Sequence, residues 1–396
     1  VQIRAKFWGL LAMSYILLFL GTFFSSFFFL VALVFAQPIV DTLVVAEQQI
    51  YLPDYPNAYN PSILRIPGGF LLSFRYTPNC KTKPYISYIG LVELEQAFHP
   101  ISEPQLVHVR RRKDRIPSQA EDARLFLFRD KIYLIYNDNR DVKNPGVKQR
   151  RDIFITELYK NGSTYFTKRA IKLISEDDYS QQNWQKNWVP IIWNEELLIS
   201  YTLDPHKVLK VDLVTGKCVT YTSTAPEILW NYGSLRGSST PCVLEDEYFG
   251  FFHSSRPLTS DASSGAILHH YFAGAYTFLK DPPFSLTRVS KYPIAGPGFY
   301  THNTEKLVIF PGGFVIEEDF IYLVYGKDDR EMWVATIPLV ALLESLVPVK
   351  FAEAPTRNEN SLFQDESSSL LEEETYSTSK LPNESSLSPN SHSPSF

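Results

Sequence analysis

The sequence has few cysteines and no recognisable metal-ligand pattern. Its 396 residues contain only Cys80, Cys218 and Cys242, so at most one internal disulfide can form. There is no CxxC pair and no Cys/His cluster, which argues against the usual structural zinc sites, and we expect no metal. The cysteines therefore leave the redox compartment open.

Several catalytic signatures are also missing. The chain has no G-x-S-x-G elbow, P-loop, HExxH helix or G-x-G-x-x-G turn, so we expect no bound cofactor. The formal net charge of -5 gives no overall reason to expect nucleic acid as a partner. The basic run "VRRRKDR" (109–115) is a local exception that we interpret as a solvated loop.

Aromatic residues are abundant while methionine is scarce. There are 28 Phe and 23 Tyr against 2 Met, and aromatic residues fit the pleated, half-buried surface of a β-sheet. The length allows one large β domain or two ordinary ones. We therefore expect an all-β fold.

The N-terminal region carries one long apolar run. The stretch "FWGLLAMSYILLFLGTFFSSFFFLVALVFA" (7–36) has no charge and would be about 45 Å long as a helix, enough to cross a bilayer. Arg4 and Lys6 precede it, and Asp41 and Glu47 follow it, so we expect the bulk of the protein to be extracytoplasmic or lumenal. We expect an uncleaved anchor; the alternative is a signal cleaved near "VFAQP", giving a secreted protein.

Composition divides the remainder of the chain. The C-terminal part is rich in Ser, Glu, Asn and Pro and cannot bury enough apolar surface to order, so we expect disorder there. The predicted regions are a short N-terminal segment (1–6), the anchor or signal (7–36), a linker (37–54), a β domain (55–337), a closing helix (338–351) and a disordered tail (352–396).

The β domain contains five loosely repeated segments. Each pairs a polar or charged opening with an apolar strand, often a turn, and a second strand. The segments are 59–75, 121–138, 186–202, 236–254 and 306–329. Repeated units of about four strands are typical of a β-propeller, here with five blades, whose innermost strands converge on a central channel. The five polar openings would then meet at one end of that channel.

The second segment opens with an acidic pair before a strongly apolar strand. In "SQAEDARLFLF" (118–128), Glu121 and Asp122 precede residues that should be buried, and charged groups are seldom placed there without a partner. Asp122 could be a catalytic acid, or it could form a structural ion pair with Arg124 or Arg140.

The order of several short motifs resembles a known enzyme family. The series NPSI, GGFLLSFR, EDARLF, KNW, G-x-x-TP, FFH and YGKDD, over roughly residues 55–340, is similar to glycoside hydrolase family 130. That family comprises five-bladed β-propellers acting on β-mannosides, mostly as phosphorylases and in part as hydrolases, and the related β-1,2-mannosyltransferases share the fold. This chain has Ala123 where the family usually has proline, and Lys327, Asp328 and Arg330 surround Asp329 in the last motif.

The resemblance implies roles for particular residues. Asp122 matches the proton donor of an inverting mechanism. The residues implied in substrate binding are Asn60, Arg75, Glu121, Arg124, Asn187, His253, Tyr325 and Asp329. Those implied in phosphate binding are Arg140, Lys186 and Arg236, because phosphate needs a cationic cradle. Each cation could instead be a solvated residue or a salt-bridge partner, His253 a core histidine, and Asp329 part of a polar turn, while Asn60 and Asn187 could cap turns.

The resulting expectation is an enzyme that cleaves or transfers glycosyl units, with an oligosaccharide or glycan as its substrate. Inorganic phosphate or a nucleotide-sugar is the possible co-substrate, and the membrane is a partner through residues 7–36. The alternatives are a glycosyltransferase or hydrolase acting on surface glycans, or a propeller that binds glycans without turnover.

Overall fold

The computed structural model of the chain describes residues 42–79, 85–109, 118–139, 151–176, 185–301 and 304–350. These residues form mostly β-strands, with one short α-helix, α1 (Leu339–Ser345), and one 3-10 turn at Asp261–Ser263. This confirms the predicted all-β class.

The strands of the first half are short and follow one another closely. In chain order they are β1 (Ala46–Ile50), β2 (Ala58–Ile66), β3 (Gly69–Tyr76), β4 (Tyr88–Leu94), β5 (Gln105–Val107), β6 (Glu121–Phe128), β7 (Lys131–Asp138), β8 (Asp152–Asn161), β9 (Thr164–Thr167) and β10 (Ile171–Ser175).

The second half continues in the same way. Its strands are β11 (Val189–Trp193), β12 (Glu196–Leu203), β13 (His206–Val211), β14 (Lys217–Thr224), β15 (Arg236–Gly237), β16 (Cys242–Leu244), β17 (Glu247–Leu258), β18 (Leu268–Leu279), β19 (Leu286–Ser290), β20 (Ile309–Glu317), β21 (Phe320–Lys327), β22 (Glu331–Pro338) and β23 (Leu346–Pro348).

These strands form four sheets. Two are four-stranded, in the orders β2-β3-β4-β5 and β1-β22-β21-β20. A six-stranded sheet has the order β15-β17-β18-β19-β23, with β16 paired to β17, and a nine-stranded sheet has the order β11-β12-β13-β14-β10-β8-β7-β6, with β9 paired to β8. The nine-stranded sheet consists of two antiparallel groups joined by the parallel pair of β10 and β14.

The five repeated segments are adjacent in a closed cycle. Strand β2 contacts β6, β6 contacts β11, β12 contacts β15, β17 contacts β20, and β20 contacts β2 again. The polar openings of these strands are therefore brought into one neighbourhood, although they are far apart in sequence.

Local turn chemistry sets the register of the repeated hairpins. Arg129 and Asp130, between β6 and β7, have positive φ values of 50° and 58°. Asn194 and Glu195, between β11 and β12, have φ values of 46° and 58°. Two consecutive left-handed residues are the mark of a type I′ turn, whose twist matches that of a two-stranded hairpin.

The core lies between neighbouring sheets. Phe70 and Phe74 on β3 are fully buried and pack with Val324 and Met332 of the last sheet. Phe251 on β17 packs with Leu323 on β21 in the same way. Because adjacent sheets share these apolar layers, a displaced strand in one sheet would disturb the opening of the next.

Two predicted boundaries need correction. The predicted linker 37–54 contains β1, which pairs antiparallel with β22 and completes the last four-stranded sheet. Its sequence, AEQQI, has no apolar alternation, because its polar side chains find partners such as the carbonyl of Ala97. The predicted closing helix is only the seven residues of α1, after which the chain continues as β23 and pairs with β19.

Other predicted regions lie outside the described residues. These are residues 7–36, proposed as an anchor or signal, the basic run at 110–115, and the tail at 352–396. No helix in the part of the chain that the structure describes has the length and apolarity needed to cross a membrane. The anchor and the extracytoplasmic location stay predictions.

Candidate active site

The repeated strands open with a shared backbone feature. Asn60, Asp122 and Asn187 have positive φ values of 48°, 51° and 64°, at or just before the openings of β2, β6 and β11. Strand register shifts between Tyr59 and Ser62, and between Glu121 and Arg124, as in a β-bulge. Asn and Asp tolerate the left-handed conformation better than most residues, and a bulge turns a side chain away from the strand's alternation.

This backbone geometry brings Asn60 and Asp122 into contact. The Nδ2 amide of Asn60 donates a hydrogen bond to Oδ1 of Asp122 at 2.9 Å, and both residues are buried. Gly326 on β21 allows Asn60 to occupy this position, because a Cβ at Gly326 would lie 2.2 Å from Asn60 Oδ1. A strand from the fifth segment therefore supports the contact between the first two.

Glu121 is surrounded by three cations. Its Oε1 accepts hydrogen bonds from Arg75 Nη2 at 2.8 Å and from Arg151 Nη2 at 2.7 Å. Its Oε2 accepts one from Lys186 Nζ at 2.7 Å. We call Arg75, Glu121, Asp122, Arg151 and Lys186 the charge cluster. Although burial raises the pKa of Glu121, Arg75, Lys186 and Arg151 outweigh it and lower that pKa below its ordinary value of 4.5.

Asp122 is also held as a carboxylate in this environment. Burial by itself raises its pKa, but the charges of Arg75 and Lys186 and the hydrogen bond from Asn60 outweigh burial, so the pKa lies below its ordinary value of 3.8. Arg75 Nη1 lies 3.6 Å from Asp122 Oδ1, within ion-pair range. In this state Asp122 is ready to accept a proton.

Arg124 lies beneath the charge cluster and connects two segments. Its guanidinium donates to the backbone carbonyls of Asp122, Gly237 and Ser238, at 3.3 Å for Asp122 and 3.1 Å for Gly237. Burial lowers its pKa to about 10. Arg124 therefore ties the backbone at Asp122, in the second segment, to the backbone of Gly237 and Ser238 in the fourth segment.

His253 and Arg236 occupy the opening of the fourth segment. They are paired across β15 and β17, and Nδ1 of His253 lies 2.6 Å from the hydroxyl of Ser238. Burial, followed by the charges of Arg236, Arg124 and Lys186, lowers the pKa of His253 well below 6.5, so this histidine is neutral. Its ring stacks on Tyr271 at 5.9 Å between centroids.

A cavity of about 640 Å³ lies beside the charge cluster. It is lined by Tyr59, Arg75, Thr77, Tyr85, Thr304, Glu305, Lys306, Asp328, Asp329 and Arg330. Arg75 belongs to both the lining and the charge cluster, so it connects the two. A volume of this size is in the range of small-molecule binding sites.

The last predicted motif divides between the cavity and the core. Asp329 lines the cavity, where its Oδ2 accepts a hydrogen bond from Lys306 Nζ at 3.1 Å. Tyr325 is fully buried, and its hydroxyl donates to Glu47 Oε1 at 2.7 Å, which ties β21 to β1. Asp328 accepts a hydrogen bond from the amide of Val308 at 2.9 Å and so fixes the turn.

The structure thus brings together half of the predicted residues. Asn60, Arg75, Glu121, Asp122 and Lys186 are in direct contact, and Arg124 supports them. Asn187 adjoins Gly237, where a Cβ would lie 2.9 Å from the Asn187 carbonyl. Arg236, His253 and Tyr325 make their contacts in the fourth and fifth segments, while Arg140 lies outside the described residues.

Sequence reasoning missed Arg151, Lys306 and Tyr59. Arg151 follows the basic stretch 147–150 and looks like one more solvated cation, although its side chain is only 6% exposed. Tyr59 precedes Asn60, and its ring lies under the Arg75 guanidinium at 5.0 Å. Within the described ranges there is no group of three or more His, Cys, Asp or Glu that could hold a metal ion.

Comparisons with known proteins identify the fold through structure alone. No family model matches the sequence, and no curated protein does. A candidate glycoside hydrolase from Parabacteroides distasonis superposes with a TM-score of 0.55 at 13% identity, covering 76% of this chain and 95% of its own. A candidate glycosidase from Bacteroides thetaiotaomicron has a TM-score of 0.54 at 13% identity, with 76% and 96% covered.

A further solved structure carries a more specific description. Its description states that the glycoside hydrolase family 130 of mannoside phosphorylases contains glycoside hydrolases that target β-1,2-mannosidic linkages in Candida mannan. Its TM-score is 0.52 at 13% identity, and the alignment covers 71% of this chain and 84% of that one. The chain therefore has the fold of these glycoside hydrolases, among them one from glycoside hydrolase family 130.

Proposed function

We propose that this protein is an inverting carbohydrate-active enzyme that cleaves or transfers glycosyl units of β-mannosides or similar glycans. We also propose that its sheets form a five-bladed β-propeller, with each repeated segment supplying the innermost strands of one blade. Asp122 is the acid/base residue, and phosphate is the preferred attacking group.

The observation that carries this proposal is that Asn60 and the charge cluster, which includes Asp122, lie together beside the cavity. Carboxylates and cations from four strand openings or their neighbours contact one another, and Arg75 extends the group to the cavity wall. Burying several charges costs desolvation free energy, so a buried charge cluster beside a cavity favours a functional role for these residues. The likeness in fold to glycoside hydrolases supports the same conclusion.

The proposed reaction replaces the glycosidic bond with a bond to phosphate and transfers one proton. A phosphate oxygen attacks the anomeric carbon, the bond from that carbon to the leaving-group oxygen breaks, and the leaving oxygen takes a proton from Asp122, directly or through a sugar hydroxyl. Arg75 and Lys186 offset the negative charge of the phosphate. Tyr59 and Asp329, on the cavity wall, contact the sugar.

The ionised state of Asp122 favours a second candidate, glycosyl transfer to an acceptor. Its pKa lies below the ordinary value because Arg75, Lys186 and Asn60 outweigh the effect of burial. A carboxylate can accept the proton of an acceptor hydroxyl that attacks an activated sugar donor. The same residue would then act as a general base.

Incubation with β-mannosides, including a β-1,2-linked mannobiose, distinguishes the candidates. Wild-type protein and Asp122→Asn are compared with and without phosphate, and products are followed by chromatography. Sugar 1-phosphate that requires added phosphate supports the phosphorylase. Free mannose without phosphate indicates hydrolysis, and product formed only from a nucleotide-sugar indicates transfer.

The enzymatic proposal fails under one clear outcome. If neither protein turns over any donor, and both bind the glycan with equal affinity, the chain is a glycan-binding protein without catalysis. Glu196→Ala is a suitable control, because Glu196 pairs with Lys210 at an exposed position away from the charge cluster.

A further inference from the structure

Arg75 has donor capacity that its present contacts do not use. Its Nη2 donates to Glu121 at 2.8 Å, whereas its Nη1 is 3.6 Å from Asp122, beyond hydrogen-bond distance. Its buried Nε has no hydrogen-bond partner among the described residues. Since Arg75 also lines the cavity, it is placed to meet an anion there while it still contacts the acidic pair.

The charge of Asp122 depends on groups from four elements. Asn60 contributes from β2, Arg75 from β3, Arg124 from β6, and Lys186 from the segment before β11. Glu121 on β6 and Tyr59 on β2 also face Asp122, and the charge of Glu121 opposes that of Asp122. Glu121 already occupies three cations, including Arg75 and Lys186. An anion that bound to Arg75 would therefore compete with the carboxylates of Glu121 and Asp122 for the guanidinium.

We propose that Arg75 couples the binding of a tetrahedral oxyanion in the cavity to protonation of Asp122. The inference rests on the proposed function and deepens it. When the oxyanion engages Arg75, the guanidinium stabilises the Asp122 carboxylate less, and the anion's own charge opposes that carboxylate. Asp122 then takes a proton from solvent and becomes the acid that the reaction requires. Arg75 thus contacts the anion, and as a positioning residue it also controls the protonation of Asp122.

The coupling resolves an apparent conflict in the resting site. A carboxylate held ionised by Arg75 and Lys186 has no proton to give to a leaving group. When the anionic co-substrate binds, Asp122 takes up the missing proton. This proton moves to the leaving-group oxygen when the glycosidic bond breaks. Without the oxyanion Asp122 stays ionised, which limits wasteful hydrolysis of the glycan.

Sulfate is a suitable probe, because it is a dianion that does not itself titrate near neutral pH. Its affinity for the full chain is measured by calorimetry across a pH series. If binding takes up a proton, the affinity rises as the pH falls, by up to about tenfold per pH unit. Mannose 1-phosphate is tested in the same way to tell a free oxyanion from one that needs its sugar.

Two variants identify the group that takes the proton. Asp122→Asn should bind sulfate more tightly than wild type at neutral pH, and its affinity should no longer depend on pH. Glu121→Gln, which changes the neighbouring carboxyl instead, should keep the pH dependence. Loss of the pH dependence in Glu121→Gln but not in Asp122→Asn would overturn the inference.

The other outcomes separate this inference from the proposed function. Sulfate binding that is independent of pH in wild type would refute the coupling and leave the phosphorylase proposal standing. Binding of mannose 1-phosphate alone, with a pH dependence that differs between wild type and Asp122→Asn, would support the coupling and assign the oxyanion to the sugar phosphate, because the titration of the phosphate itself is common to both proteins. Binding of neither anion at any pH would refute both the coupling and the use of phosphate.

Discussion

Replacing Glu121 with glutamine would remove the one carboxylate that binds three cations of the charge cluster. Arg75, Arg151 and Lys186 each donate to it at 2.7 or 2.8 Å. Glutamine keeps the size of the side chain, so the change removes charge and one acceptor without creating a cavity. The amide nitrogen of the glutamine is a hydrogen-bond donor, so it would face a cation that itself needs an acceptor.

The structure sets the expected loss of stability. Removing one partner of a buried ion pair costs about 3–5 kcal/mol, because the other charge is left uncompensated. The Arg75 and Arg151 side chains are only 12% and 6% exposed, whereas Lys186 is 29% exposed and can regain water. With an unfolding entropy of about 2.1 cal/mol/K per residue over roughly 300 folded residues, this cost lowers Tm by about 5–8 °C.

The effect should depend on pH in a defined direction. The pKa of Glu121 is lowered in the folded protein, since its three cations outweigh burial. Its contribution to stability is therefore full above the ordinary value of 4.5 and is lost as the pH falls through the folded pKa. The difference in Tm between wild type and Glu121→Gln should be constant near neutral pH and shrink in acid.

Thermal unfolding by circular dichroism or calorimetry provides the assay. Glu196→Ala is the matched control, because its pair with Lys210 is 41–49% exposed and exposed pairs contribute only about 0–1 kcal/mol. If Glu121→Gln unfolds at the temperature of that control, or if its difference from wild type grows in acid, the description of the charge cluster is wrong.

Three further predictions concern neighbouring parts of the fold. Gly326→Ala should displace Asn60, since the new Cβ would lie 2.2 Å from its Oδ1, and should lower turnover at least about tenfold; unchanged kinetics would contradict the close contact. Arg124→Met should reduce the free energy of unfolding in urea by about 2–5 kcal/mol, because buried backbone carbonyls lose their donors, and a change below about 0.5 kcal/mol would refute its supporting role. Cys218 and Cys242, whose thiol pKa values burial raises to about 12, should resist alkylation in the native protein at pH 8 and react after unfolding; rapid native labelling of both would contradict their environment.

The sequence predicts the strand openings because their local signals are strong. Asn60 and Asp122 stand where a bulge requires a left-handed residue, and apolar strands follow them. The turns at Arg129–Asp130 and Asn194–Glu195 are marked by polar residues between apolar runs. These signals are local, so they can be read without knowing which strands meet.

The pairing of distant charges could not be predicted in the same way. In the sequence Arg151 resembles the basic residues that precede it, and the pairing of β6 with β7 and of β7 with β8 brings it 2.7 Å from Glu121. Strand β1 is polar, and one of its partners is distant in sequence: Glu47 accepts a hydrogen bond from Tyr325, 278 positions away. The role of Arg75 as a link to the cavity likewise depends on residues from the fifth segment.

The most direct test of the central claim is the initial rate of sugar 1-phosphate release from β-1,2-linked mannobiose in phosphate buffer. Wild type is compared with Asp122→Asn, whose thermal stability is checked in parallel. Loss of the acid/base group should lower the rate by about 10²–10⁴-fold while the fold is retained. Equal rates for the two proteins would contradict the assignment of Asp122 and with it the proposed active site.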